Sequence, residues 1–182
     1  MRPSHLIQPI DPVSVDTAVS QDESAIVFFR ATSFGGAVQA PVLEVNEDGS
    51  LKFVTIVSAG AKLLHKTTPG KHLYLIDGEF GYFLEADLEG GKTYYSYITP
   101  KFGWWRARFL FAPVRNPDDA TFRKDFAWCE WYANKPEGQQ WFVKAKGNLE
   151  KRYSDIIEEY ADSPAEDKTF MLPEYGRTMP VK

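Results

Sequence analysis

The chain has 182 residues, long enough for one well-cored domain with an appendage and too short for two ordinary domains. Hydrophobic residues make up 43% and aromatics 15%, which excludes global disorder. Against 25 acidic residues stand 21 basic ones, a formal net charge of -4, which disfavours nucleic acid and anionic lipid as partners.

Residues 1–24 carry three prolines and scattered polar residues with no sustained period, and read as an arm or linker. They lack the basic start and apolar run of an export signal, and no stretch reaches the roughly 18 apolar residues of a membrane span. The expected setting is therefore the cytoplasm, or the periplasm or cell envelope for a mature form whose signal has been removed.

From Ala25 to Val114 the pattern is that of strands. AIVFFRA is apolar on both faces, as in a central strand, and AVQAPVLEV follows the turn-forming SFGG, with Pro41 placing that strand at an edge or a bulge. LKFVTIVS, AKLLHK and KHLYLID come next, the last two separated by TTPGK. Then Phe80, Tyr82, Leu84, Ala86 and Leu88 alternate with Gly81, Phe83, Glu85 and Asp87, the period of a half-buried antiparallel strand. EGG leads into KTYYSYIT, and PKFG into WWRARFLFAPV. Short strands at even spacing with no helix between them predict an antiparallel β-sandwich of immunoglobulin- or prealbumin-like type, with seven to nine mostly antiparallel strands.

After Pro113, RNPDDATFRKD reads as a polar connector, and FAWCEWYA suits either one more strand or a helical turn. Phe142, Ala145, Leu149, Tyr153, Ile156 and Tyr160 fall at helical spacing, predicting one long helix over 136–161 packed on the sandwich, with Pro136 in its first turn and Gly147 as a potential bend. The domain thus runs over 25–163, and 164–182 form a tail that docks or frays.

The phrases AIVFFRATSFGGAVQAPV, TPGKH and DLEGGKTYY resemble an uncharacterised bacterial family of small β-sandwich domains found in lipoproteins and exported proteins. They are also similar to PEGA-type domains in the placement of the proline-glycine turn. The likeness covers Ala25 to Ile98 and rests on turn glycines and strand aromatics, so it implies a fold and a cell-envelope setting but no catalytic residues. The long C-terminal helix lies outside it.

No motif carries chemistry above background. Gly91, Lys92 and Thr93 spell the end of a phosphate-binding loop, but Ala86 stands where the motif needs glycine and a strand follows instead of a helix, so a hairpin turn is expected. His65 and His72 flank TTPGK and would be cross-strand neighbours in a hairpin. Zinc wants three or four ligands and none completes the set, so neither a metal nor a cofactor is expected. Glu85 and Asp87, about 7 Å apart on one strand face, read as acids on a wet surface. Cys129, between Trp128 and Trp131, reads as a buried thiol.

Trp104, Arg106 and Arg108, with Lys101 nearby, form an aromatic and basic strip, and Trp128 and Trp131 extend the candidate binding set. Five tryptophans between Trp104 and Trp141 exceed what one sandwich core usually needs, which points to a contact surface. The expected role is a non-catalytic binding or assembly module. Its partner would be another protein or a second copy, with no nucleic acid and no membrane span. Small-molecule or carbohydrate binding through exposed aromatics, and an enzyme of unrecognised type, are the alternatives.

Overall fold

A computed structural model describes residues 5–34, 38–101 and 108–181. Eleven strands and two helices lie among them: β1 (Ile7–Pro9), β2 (Ser24–Phe29), β3 (Ala40–Val45), β4 (Leu51–Val57), β5 (Ala61–Thr67), β6 (Gly70–Ile76), β7 (Tyr82–Leu88), β8 (Thr93–Lys101), β9 (Arg108–Pro113), α1 (Ala120–Trp128), β10 (Glu130–Asn134), α2 (Pro136–Ala161) and β11 (Phe170–Met171). They build a six-stranded sheet, β1-β10-β5-β2-β8-β9, and a five-stranded sheet, β11-β7-β6-β3-β4. The fold is mainly β, as expected.

Strand β2 has no exposed residue, and its two faces go to different cores. Ile26 and Phe28 join Val42, Tyr74, Ile76 and Leu84 between the sheets, whereas Val27 and Phe29 pack with Tyr95 against Phe122 and Phe126 of α1. The far side of the second sheet is covered in turn: Leu43, Leu75 and Phe83 lie under Phe142, Leu149 and Tyr153 of α2. The layer order is α1, first sheet, second sheet, α2, each sheet burying both faces where a helix covers it.

Both sheets are mixed, mostly antiparallel as expected, and hold eleven strands among the described residues where the sequence predicts seven to nine. Six pairings are antiparallel, but β2–β8, β5–β10 and β7–β11 are parallel. The cause is the path of the chain, which leaves the first sheet after β2, returns for β5, leaves again for β6 and β7, and returns as β8 alongside β2. Parallel neighbours need such crossover excursions. Consequently TTPGK and EGG are corners between sheets and not hairpins. Gly70 at φ +117° and Gly91 at φ +74° take backbone conformations closed to most side chains, and a Cβ on Gly91 would meet Gln21 Nε2 at 2.5 Å.

Pro41 lies in β3, which has neighbours on both sides, and the register shifts between Val42 and Leu43. The extra residue of that shift is Val54 on β4, so the bulge stands beside Pro41 and not at it; Pro41 pairs with Ile56 near the start of β3, one residue outside the first β6 pair, Val42 with Ile76. The segment read as a polar connector holds the start of α1. Asp119 is its N-cap, accepting from Thr121 N at 2.9 Å and Phe122 N at 3.0 Å. FAWCEWYA is both things at once, α1 ending at Trp128 and β10 beginning at Glu130.

Helix α2 spans 136–161 with the expected stripe inward. Tyr153 pins it to the β6–β7 turn, its hydroxyl donating to Asp77 Oδ1 at 2.6 Å and accepting from Gly78 N at 3.2 Å. The arm and tail both dock. Ile7 and Pro9 pair with Asn134 and Tyr132, β11 pairs with β7, and Val181 N donates to Tyr95 Oη at 2.7 Å. No helix among the described residues is long and apolar enough to cross a membrane.

Leu149 is 3% exposed and Val143 66%. Leu149→Ala should therefore cost about 2–5 kcal/mol in denaturant unfolding, and Tyr153→Phe about 1–2 kcal/mol through the carboxylate left short of a donor. Val143→Ala should change stability by less than about 0.5 kcal/mol. Equal effects from Leu149→Ala and Val143→Ala would show that α2 does not pack as described.

Candidate functional site

Of the aromatic and basic set, Arg108, Trp128 and Trp131 lie within the described residues, and they sit on different elements. Trp104 and Arg106 lie outside the described residues. Arg108 Nε donates to Glu79 Oε2 at 2.7 Å, with its guanidinium 4.6 Å from the Phe80 ring centroid. Trp128 is 55% exposed at the end of α1. Trp131 is buried in the core beneath α1, edge-on to Phe126, with the Lys62 ammonium 5.1 Å from its ring centroid. Arg108 on β9 and Trp131 on β10 stand four strand spacings apart in one sheet, about 19 Å, too far to grip one small ligand together.

Lys62 is a buried cation in an aromatic setting. Its Nζ donates to Phe126 O at 2.8 Å and lies 4.2 Å from the Phe126 ring centroid, and burial pushes its pKa down. The neighbouring Cys129 is 3% exposed, and burial pushes its thiol up to about 12, against a smaller downward pull from Lys62. Such a thiol is protonated at neutral pH and a poor nucleophile.

A cleft lies at the other end of the layer stack. Helix α2 shields Phe83 on the outer face of β7 but ends at Ala161. Beyond its last turn Glu85 and Asp87, next along that face, line a cleft of about 580 Å³ together with Lys71 and Leu73 of β6, the β3–β4 turn and β11. Its apolar lining includes Val45, Leu73, Ile157 and Phe170, and its polar groups Glu47, Lys71, Glu85, Asp87 and Tyr160. Tyr160 stacks on Phe83 at 4.2 Å between centroids, and burial with the nearby Glu85 raises its hydroxyl pKa. Lys168 Nζ is 3.2 Å from Glu85 Oε1 and 4.8 Å from the Tyr160 ring centroid. Glu47 and Asp87 make no ion pair among the described residues. The acids read as an ordinary wet face thus line a cleft, because β11 and the end of α2 close over them.

A second polar group sits between the sheets, backing the same strand β6. His72 Nδ1 is 2.6 Å from Glu44 Oε1 and its Nε2 is 2.8 Å from Thr68 O. Lys52 Nζ donates to Glu44 Oε2 at 3.2 Å. The hydrogen bond to His72 holds the Glu44 carboxyl at about 2 and raises His72. His65, brought near through Tyr74 with ring centroids 5.7 Å and 6.0 Å from that tyrosine, is pushed down to about 4 by burial. The two histidines share the interior from different sheets and not across a hairpin. Among the described residues no group of three or more His, Cys, Asp or Glu is placed to hold a metal ion. Gly91, Lys92 and Thr93 form a corner entering β8, with no helix N-terminus after them.

Thiol-specific labelling of Cys129 at neutral pH should be slow in the native protein and fast in denaturant. Rapid stoichiometric labelling of folded protein would contradict the burial of this thiol. In comparison with known proteins, neither a family model nor a curated protein matches the chain.

Proposed function

We propose that this protein is a non-catalytic binding domain whose ligand is a small amphiphile, an apolar chain carrying a cationic head, seated in the cleft between the end of α2 and strands β6, β7 and β11. The observation that carries the reading is the cleft itself. Its volume of about 580 Å³ falls within the range typical of small-molecule sites. Its apolar surface suits a hydrocarbon chain. At its rim Glu47 and Asp87, without ion pairs among the described residues, face one ammonium, Lys71, while Glu85 is already engaged by Lys168; the balance favours a cation.

The non-catalytic part is supported by the Glu44–His72 pair. It is the natural candidate for acid–base work, yet both imidazole nitrogens are engaged within the fold, leaving neither to take a substrate proton. In fold terms the reading groups the domain with immunoglobulin- or prealbumin-like sandwiches, an assignment supported by two sheets sharing one core. The turn and strand motifs over Ala25 to Ile98 extend the proposal to a bacterial cell-envelope setting.

Octylamine, octanol and octanoate distinguish head from tail. Burying eight carbons offsets association costs enough for a Kd on the order of 0.1–1 mM, read by calorimetry or by tyrosine NMR shifts at Tyr160. Octylamine should bind tightest and octanoate weakest, and Ala161→Trp should weaken all three by filling the cleft. A combined Glu47→Gln and Asp87→Asn variant should erase the preference for the amine. No saturable binding by any of the three, or octanoate matching octylamine, would overturn the reading.

A further inference from the structure

His72 has an acceptor at each ring nitrogen. Thr68 O is a backbone carbonyl and can only accept. Glu44 is 8% exposed, and its other oxygen accepts from Lys52, so it is held as a carboxylate. A neutral imidazole has a single N–H and would turn a lone pair toward an oxygen at 2.6 Å or 2.8 Å. Only the doubly protonated ring satisfies both contacts.

Every element packed against the ring agrees with this charge state. Glu44 on β3 supplies the negative charge, and Lys52 on β4 shares it from a side chain 59% exposed, where solvent weakens its repulsion. His65 on β5 is neutral at pH 7, Tyr74 beside His72 on β6 stacks its ring at 6.0 Å, and β7 presents uncharged Ala86 opposite His72. The bond from Nε2 reaches back to Thr68, in the corner that carries the chain from one sheet to the other. On the opposite face of β6 the adjacent residues Lys71 and Leu73 line the cleft.

We propose that His72 is a proton latch. As an imidazolium it ties β3 to the β5–β6 corner, and losing its proton releases that corner, so that the cleft wall formed by Lys71 and Leu73 loosens as pH rises. This rests on hydrogen-bond geometry and not on the ligand proposed for the cleft. The direction follows from linkage: the folded-state pKa of His72 lies above its unfolded value, so the stabilisation is full below the unfolded pKa of about 6.5 and is lost as pH rises through the folded pKa. His65, shifted the opposite way, acts only on the acid side of that value, where the unfolded chain takes up a proton that the fold resists.

The latch is tested by NMR and thermal unfolding of the whole chain. At pH 7 both His72 ring nitrogens should show protonated shifts, and the amides of residues 70–73 should shift and exchange faster with the midpoint at which His72 titrates. The melting temperature should fall by about 2–6 °C between pH 6.5 and 9, and His72→Gln should flatten that limb. Should His72→Gln fail to fold, Glu44→Gln serves instead: it keeps the ring but should lower its midpoint toward the unfolded value. A neutral His72 at pH 7, amides 70–73 unmoved through its titration, or the same alkaline slope in a folded His72→Gln protein would overturn the proposal.

Discussion

Coverage of β2 on both faces is the constraint on which the rest of the architecture depends. A strand with side chains such as Ile26 and Phe28 on one face and Val27 and Phe29 on the other cannot leave either face in water without exposing several hundred Å² of apolar surface. One face is met by the second sheet and the other by α1. Since β2 is also flanked by β5 and β8, its backbone groups are satisfied at the same time. The short helix α1, only nine residues and weakly amphipathic, is held in place by this demand more than by its own propensity. Lys62 shows how tight the arrangement is: a cation reaches the α1 interface only with a backbone carbonyl and an aromatic ring to receive it.

The second sheet repeats the arrangement with α2, and there the coverage is incomplete. A helix of 26 residues shields the outer face of β4, β3, β6 and part of β7, then ends at Ala161. The strand face continues past it with Glu85 and Asp87, residues that tolerate water. The cleft is therefore a consequence of where the helix stops, with β11 returning along β7 as its far wall. Strand β6 stands between two polar environments, the wet cleft on one face and the Glu44–His72 pair on the other. That pair is buried and charged, a costly combination retained only with further hydrogen bonds to both partners, which Lys52 and Thr68 O supply.

Much of this was legible in the residues alone. Strand positions, the doubly apolar character of AIVFFRA and the full extent of α2 follow from short-range periodicity, which reports which side of an element meets a core. The burial of Cys129 follows from the tryptophans beside it. The start of α1 could have been found from Asp119 as an N-cap with Phe122 and Phe126 four residues apart, but the density of charge around it favoured the reading as a connector. For the site, the sequence drew attention to Glu85, Asp87, His65 and His72 without showing what they do together.

What the sequence by itself determined is therefore local: which segments extend, which coil, and which faces are apolar. Those properties are set by side chains a few residues apart. Only the tertiary structure decided that TTPGK and EGG turn between sheets instead of within one, that β2 and β8 run parallel, and that β11 lies along β7. Each depends on which of several compatible edges a strand meets, a choice made by the summed burial of distant surfaces that no local pattern encodes. The cleft and the Glu44–His72–Thr68 contacts belong to this second class, because each brings together groups from elements whose approach is settled only when both sheets and both helices have closed on the same core.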